Sequence, residues 1–443
     1  MSNTPGDGTW RAGYRSAPLH HQLSLPGSKS LTNRELVLSA LATGPSILRS
    51  PLHARDTHLM VEALRALGAT ITEGNPGPFG PDLHITPIPE NCSNPPTLDC
   101  GLAGTVMRFV PPLSLVIPGS LSFDGDAGAR LRPMATTLDA LGQLGVEVDA
   151  TLEGFLPFTL TNTGAIHGRV VSIDASASSQ FVSGLLLVGA RLPGGLRIEH
   201  KGDSLPSLPH IDMTLHCLRG RGVAAEMVSP GTWEVAPGAI AGVEVAIEPD
   251  LSNAAPFLSA ALITGGSVSI SGWPESTTQV GGLVPELLEH WGASITRAPG
   301  VVTVEGGDGL AGGRELPGVN LDLSHAGELA PTFVALAALS PASSQFRGIG
   351  HLRGHETDRL KALVSNIEAL GGSASETSDG IVVAPAELHP GLWKAFDDHR
   401  MATSGALLGL AIPGVEVDDI ACTSKTLPEF PALWEELLSS PKR

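Results

Sequence analysis

The sequence predicts an α/β (α+β) protein of two domains, assembled from six pseudo-repeats, and three observations lead there. First, six segments share one design, in which small polar residues run into an apolar helix rich in Ala and Leu. They start at Ser28, Leu102, Ser178, Leu251, His325 and Asp397, at spacings of about 74, 76, 73, 74 and 72 residues. Second, each such helix is followed by a turn and a β-rich stretch, as in "GPSILRS", "GSLSFDG" and "GGSVSIS", and then by an amphipathic helix. Third, 443 residues exceed what one ordinary core holds, so two domains of three repeats each are expected.

The elements follow in order. "LPGSKSLTNRELVLSALATG", from Leu25 to Gly44, is a Pro-Gly turn, a Ser in cap position and an apolar helix. It resembles the end of a phosphate-binding P-loop, but Lys29 follows Ser28 rather than Gly, so the strict motif fails. Two readings remain for the stretch alone: a Ser-capped core helix, or a helix N-terminus whose free N–H groups receive an anion. The equivalent apolar helices in "LAGTVMRFVPPLSLVI", "SSQFVSGLLLVGARL", "LSNAAPFLSAALITGG", "HAGELAPTFVALAALS" and "DDHRMATSGALLGLA" are apolar nearly all round and should be buried. The amphipathic partners are "DTHLMVEALRALG", "RPMATTLDALGQLG", "IDMTLHCLRGRG", "GGLVPELLEHWG" and "ETDRLKALVSNIEALGG", with "FPALWEELL" as the sixth. Gly68, Gly145, Gly222, Gly292 and Gly371 stand where a C-cap glycine belongs.

Composition bounds the partners. Hydrophobic residues make up 42% and charged residues 16%, which describes a globular chain with ample core, and no apolar run reaches membrane-spanning length. A net charge of −18 excludes nucleic acid and anionic membrane as partners, but leaves a locally positive cleft for a small anion. No basic segment leads into an apolar core at the N-terminus, so a cytoplasmic location is expected. Cys92, Cys100, Cys217 and Cys422 lack metal-ligand spacing, and no disulfide framework is expected.

If the three buried helices of a domain run parallel, their N-terminal ends gather on one face, and two such faces across a cleft focus positive potential. Chemistry-bearing residues stand at those ends: Lys29, Ser30 and Arg34; Gly104, Thr105 and Arg108; Ser178, Ser179 and Gln180; Glu328; Asp398, His399 and Arg400. Arg132, Glu356 and Arg359 stand at the starts of amphipathic helices. Cations with a few carboxylates point to anionic substrates and acid–base chemistry.

"LPGSKSLTNR", "GLAGTVMRF", "SSQF", "KGD" followed by "HID", "RGHETDRL", "DDHRMA" and "CTSKT" together resemble the signature segments of 5-enolpyruvylshikimate-3-phosphate synthases, in family order from about residue 22 to the C-terminus. The resemblance implies a two-domain inside-out α/β barrel, each domain of three βαβαββ units. Residues 28–247 would form the N-terminal domain and 21–27 with 248–443 the C-terminal domain, with the active site in the interdomain cleft. Residues 1–20 read as a poorly ordered extension. The implied reaction belongs to the shikimate pathway of aromatic amino acid biosynthesis: phosphoenolpyruvate and shikimate 3-phosphate give the enolpyruvyl ether and phosphate, with no metal or organic cofactor. A monomer inhibited by glyphosate is also implied.

Carried over residue by residue, the family pattern puts shikimate 3-phosphate on Lys29, Ser30, Arg34, Ser178, Ser179 and Gln180, with Ser207, Glu328 and His355 completing its site. Phosphoenolpyruvate falls to Lys29, Gly104, Arg132 and Gln180, with its carboxylate on Arg359 and Arg400 and its phosphate also on Lys425. Glu328 is implied as the base for the hydroxyl, where many relatives have Asp; Glu356 is implied in proton exchange at C3 and Lys29 in phosphate departure. Departures are His355 for a common Lys, His351 for Asn, His210 for Tyr, Leu102 for Asn and Phe109 for Pro, choices that resemble an actinobacterial branch. The "KNA" segment and mobile-loop Cys of UDP-N-acetylglucosamine enolpyruvyl transferases are absent, and retention of Glu328, Glu356 and Lys29 argues against a non-catalytic anion-binding protein.

Overall fold

Six largely buried helices organise the computed structural model, which describes residues 8–90, 97–164, 166, 169–202 and 204–441. The chain divides into two units, one of Pro26–Glu248 and one of Met1–Leu25 with Pro249–Arg443. In the first unit the repeats supply α1 (Lys29–Ala40) and α2 (Arg55–Ala66), α3 (Gly104–Phe109) and α4 (Ala135–Gln143), then α5 (Gln180–Gly189) and α6 (Leu208–Gly220). In the second they supply α7 (Ala254–Thr264) and α8 (Val284–Glu289), α9 (Ala330–Ala337) and α10 (Arg359–Ala369), then α11 (His399–Gly409) and α12 (Phe430–Leu438).

The odd-numbered helices are the apolar ones and lie in the core. Every residue of α7 and α9 is buried, as is α1 from Leu31 to Ala40. Fully burying a Leu or Val side chain contributes roughly 1.5–3 kcal/mol, so Leu36, Val37 and Leu38 together anchor α1 strongly. The even-numbered helices bury one face only. In α2 that face is Thr57, Met60, Val61 and Leu64, the i, i+3, i+4, i+7 spacing of an amphipathic helix. Gly68, Gly145, Gly222, Gly292 and Gly371 all take positive φ, between 78° and 106°, as residues just past a helix end do.

One expectation fails within the second repeat. "LAGTVMRFVPPLSLVI" does not form one helix: α3 stops at Phe109 and the chain continues as a 3-10 turn over Pro111–Leu115. Pro111 and Pro112 donate no backbone hydrogen bond, so the α-helical ladder cannot run through them.

Each repeat packs its helices on a small sheet. The sheets share a plan: a parallel pair of strands flanking the apolar helix, extended by an antiparallel hairpin. Val170–Ile173, for example, pairs parallel with Leu196–His200, which pairs antiparallel with the hairpin Ala225–Ser229/Thr232–Val235. In the unit Pro26–Glu248 the last strand, Glu244–Ala246, closes back on Ser46–Arg49 of the first repeat. In the other unit Leu19–Leu23 pairs parallel with Gly266–Ser271, so a strand made early completes a sheet made late.

The sixth sheet lacks the hairpin. Gly391–Trp393 and Val415–Val417 pair in parallel, and the third strand is Trp10–Arg11, antiparallel to Val415–Val417. The reading of residues 1–20 as a poorly ordered extension is therefore corrected for residues 8–20; residues 1–7 lie outside the described residues, as does Cys92. Arg15 fixes this segment to the C-terminal helix: its guanidinium donates to the carbonyls of Leu438, Ser440 (3.0 Å), Ala17 (3.0 Å) and Pro18 (2.9 Å). The polar, Gly-rich sequence reads as loose because its partners stand some 400 residues away, beyond any local signal.

Candidate active site

In the unit Pro26–Glu248, the ends of α1, α3 and α5 meet. Ser28 caps α1 by accepting from the Leu31 N–H (3.5 Å), which leaves Lys29 and Ser30 half-buried in its first turn. The Lys29 ammonium lies 3.4 Å from Asp56, a buried carboxylate in the first turn of α2. One turn further along α1, the Asn33 side-chain amide donates to Thr105 Oγ1 of α3 (2.6 Å), tying two helix starts together.

Arg34 is buried and engaged on three sides. Its Nε donates to Thr214 Oγ1 (2.8 Å), Nη1 to the Ser30 carbonyl (2.8 Å), and Nη2 to the His210 carbonyl (2.9 Å) and Ser183 Oγ (3.4 Å). Its guanidinium also lies over the Phe109 ring, 5.1 Å from the centroid, so the departure at 109 supplies a platform. Arg34 thus joins α1, α5 and α6, and holds the turn that presents Ser30.

Gly104 opens α3, and its Cα faces Arg132: a Cβ built there would stand 3.1 and 3.2 Å from the two terminal guanidinium nitrogens. Arg132 reaches the Leu102 carbonyl at 3.5 Å, while its Nε is buried without a protein partner. Ser178 and buried Ser179 precede Gln180, the first residue of α5, and Ser178 Oγ accepts from the Gln180 N–H (3.3 Å). Ser207 caps α6 at φ 55°, ψ 45°, a left-handed conformation that a non-glycine residue adopts only at a cost. Such strain recurs at Phe396 and Asp397, just before α11.

The other unit gathers a denser charged cluster. Glu328 sits in the 3-10 turn Gly327–Leu329 that leads into α9. One of its carboxylate oxygens accepts from Ser252 Oγ (2.6 Å) and the other from Arg400 Nη2 (3.1 Å). Asp398 caps α11 by accepting from the Arg400 N–H (2.9 Å), and its two oxygens take Nε and Nη2 of Arg359 at 2.7 and 3.1 Å. Glu356 bridges two cations, Arg359 at 3.0 Å and Lys425 at 2.7 Å. His355 Nδ1 lies 3.9 Å from Glu356 and 3.4 Å from Arg359 Nη1, and its ring meets that of His351 edge-on at 5.7 Å.

Burial opposes the charge on Arg359, but Asp398, Glu356 and Glu328 outweigh it and hold the guanidinium above its ordinary range. Arg359, Arg400 and Lys425 are thus matched by Glu328, Glu356 and Asp398, three charges against three. An incoming anion must compete with resident carboxylates for these cations. The thiols offer no alternative chemistry among the described residues: burial pushes Cys100 up to about 12 and raises Cys217 and Cys422 as well.

Of the sequence-predicted site residues, the printed contacts join Glu328 with Arg400, and Glu356 with His355, Arg359 and Lys425; Ser30 and Arg34 meet at the start of α1, and Arg132 faces Gly104, while Ser178, Ser179, Gln180 and Ser207 stand at the starts of α5 and α6. Asp56 and Ser252 were missed. Both lie in repeat elements, but each is identified only by the side chain that it contacts across the fold, Lys29 for Asp56 and Glu328 for Ser252.

The EPSP synthase (3-phosphoshikimate 1-carboxyvinyltransferase) family model matches residues 14–434. A 3-phosphoshikimate 1-carboxyvinyltransferase of Kocuria rhizophila is 54% identical over 98% of this chain and 97% of its own. One from Mycobacterium ulcerans is 48% identical over 97% of each. Among solved structures, the fold is similar to that of EPSP synthase from Acinetobacter baumannii, with TM-score 0.78 at 23% identity and 97% of each chain covered. It is also similar to that of the enolpyruvyl transferase NikO from Streptomyces tendae, with TM-score 0.74 at 20% identity and 96% of each covered. A family model that matches residues 14–434 and relatives up to 54% identical over nearly the whole chain have one reading: the chain belongs to the EPSP synthase family, the 3-phosphoshikimate 1-carboxyvinyltransferases.

Proposed function

We propose that the two clusters act together on one pair of substrates, moving the enolpyruvyl group of phosphoenolpyruvate to the 5-hydroxyl of shikimate 3-phosphate. The observation that carries this reading is Glu356 held between Arg359 and Lys425, beside Glu328 on Arg400. Two carboxylates paired with cations support the reading, since a doubly anionic substrate needs cations and the reaction needs acid–base groups.

In this reading Lys29, Ser30, Ser178, Ser179, Gln180 and Ser207 hold shikimate 3-phosphate, and His355 and Glu328 also serve it. Arg34 acts chiefly through the Ser30 turn that it braces. The phosphoenolpyruvate carboxylate takes the planar forks of Arg359 and Arg400, and its phosphate takes Lys29, Arg132 and Lys425, with Gly104 allowing close approach. Glu328 accepts the 5-hydroxyl proton as that oxygen bonds to C2, while C3 gains a proton from Glu356. The resulting tetrahedral intermediate returns a C3 proton to Glu356 and breaks its C2–O bond to phosphate, which leaves with help from Lys29.

The ion pairs bear on how Glu356 becomes an acid. A carboxylate bonded to two cations is a poor proton carrier. When the substrate's carboxylate and phosphate engage Arg359 and Lys425, Glu356 loses part of that stabilisation and gains anionic neighbours. Both changes raise its affinity for a proton, so substrate binding prepares the acid.

The proposal extends to a cytoplasmic monomer that glyphosate inhibits in competition with phosphoenolpyruvate. Among the described residues no helix is long and apolar enough to cross a membrane. The decisive experiment measures phosphate released from phosphoenolpyruvate with shikimate 3-phosphate, and separately with UDP-N-acetylglucosamine. Release with the first acceptor alone is expected; release with the nucleotide sugar, or none with either, overturns the reading.

A further inference from the structure

The unit that carries Glu328 has three buried helices, α7, α9 and α11. The turn before α9 and the start of α11 supply residues expected on substrate, Glu328 and Arg400. The turn before α7, Leu251–Asn253, supplies none, yet its side chains reach towards the other two repeats. Ser252 is buried, and its hydroxyl donates to Glu328 Oε1 at 2.6 Å, opposite the Arg400 contact on Oε2. The next residue, Asn253, donates its side-chain amide to the carbonyl of Thr426 (3.4 Å), the neighbour of Lys425.

The turn is braced independently of these contacts. The Asn253 N–H donates to Asp250 Oδ1 (3.0 Å), and the Leu251 N–H to Gln279 Oε1 (3.2 Å). Gln279 in turn donates to the Pro249 carbonyl (2.9 Å). Ser252 therefore projects from fixed backbone. This matters because a Glu side chain has three rotatable bonds, and the Arg400 bond engages only one oxygen of the carboxylate. A second donor on the other oxygen sets the plane of the group and the direction of its lone pairs.

We infer that Ser252 is a positioning residue for the reaction, aiming the Glu328 carboxylate at the acceptor hydroxyl. The inference rests on the reading of Glu328 as the base. Through Ser252 the repeat that contributes no substrate contact supports the one that contributes the base.

Phosphate-release kinetics of Ser252→Ala, Ser252→Thr, Glu328→Gln and the Ser252→Ala/Glu328→Gln double variant test it, together with calorimetric binding of shikimate 3-phosphate. Losing a hydrogen bond to a charged group predicts a fall of about tenfold or more in kcat for Ser252→Ala, with both KM values within about twofold. Ser252→Thr, which keeps the hydroxyl, restores most of the rate, and the double variant is no slower than Glu328→Gln alone. A normal kcat for Ser252→Ala, equal losses in Ala and Thr, additive losses in the double variant, or loss of shikimate 3-phosphate binding overturns the positioning role. A Glu328→Gln enzyme of unchanged kcat overturns instead the assignment of the base.

Discussion

Gly104→Ala should separate phosphoenolpyruvate from glyphosate, and the structure sets the size of the effect. The added methyl carbon stands 3.1 and 3.2 Å from Arg132 Nη1 and Nη2 and 3.5 Å from Arg108 Nη1. The first two contacts are tighter than ordinary packing allows, so the Arg132 guanidinium must retreat by a few tenths of an ångström. Its hold on Leu102 is a long 3.5 Å hydrogen bond and its Nε has no protein partner, so it yields without unfolding anything. Gly104 begins α3 with ordinary helical φ, and Ala suits that position better than Gly. In the proposed reading the cost therefore falls on the ligand that Arg132 grips. A short phosphate ester follows the displaced guanidinium; glyphosate, longer between its carboxylate and phosphonate, has no slack. Overpacking of about 1–3 kcal/mol converts to a rise of roughly 5- to 150-fold in the glyphosate inhibition constant. The KM for phosphoenolpyruvate should change about threefold or less if the shorter ligand escapes most of that overpacking. The assay is inhibition against varied phosphoenolpyruvate at saturating shikimate 3-phosphate, for wild type and variant. Equal shifts in both constants, or a wild type that glyphosate does not inhibit, would refute the reasoning.

Arg400→Lys keeps the charge and loses the planar fork, so use of phosphoenolpyruvate should fall about 30-fold or more while calorimetric binding of shikimate 3-phosphate stays nearly intact. Equal loss for both ligands would point away from a carboxylate grip. Glu356→Gln should lower kcat by about 100-fold or more. The same change frees Arg359 and Lys425 from a resident carboxylate, so equilibrium binding of phosphoenolpyruvate to the variant should tighten; weakened binding contradicts the proposed competition. Deleting residues 2–16 removes the Trp10–Arg11 strand and the Arg15 bonds, each hydrogen bond worth about 1 kcal/mol, and should lower the melting temperature by roughly 5–10 °C. An unchanged melt would show that the segment is a passenger.

The repeats were legible because each writes the same helix in the same place. A buried helix needs a largely apolar surface, and that need shows along α7 and α9, where Ser259, Thr264 and Thr332 are the polar exceptions. The site was legible where a residue belongs to a local motif at a helix start, as Lys29 and Arg400 do. Asp56 and Ser252 are not singled out by their local sequence: Asp56 lies in the first turn of an ordinary amphipathic helix, and Ser252, though at a repeat helix start, is an uncharged residue in a turn with no charged neighbour after it. Their importance lies in Lys29 and Glu328, 27 and 76 residues away. That Arg34 also ties α1 to α5 and α6 was hidden for the same reason, since its partners Ser183 and Thr214 stand 149 and 180 residues away. The helix drawn through Pro111 was a local error, correctable from the two prolines alone.

The N-terminal strand has a consequence for biosynthesis. Thr9 and Glu416, joined by a side-chain hydrogen bond, are 407 residues apart. At a synthesis rate of about 5–20 residues per second, the first strand waits roughly 20–80 s for the partner that will hold it. Meanwhile the segment 26–248, whose strands all pair within it, can complete its own core. The waiting segment must resist pairing with other nascent chains, and Leu19–Leu23 is suited to that, because His20, His21 and Gln22 interrupt its apolar residues. The end of α12 is thus secured by Arg15, a residue made 423 residues before Leu438.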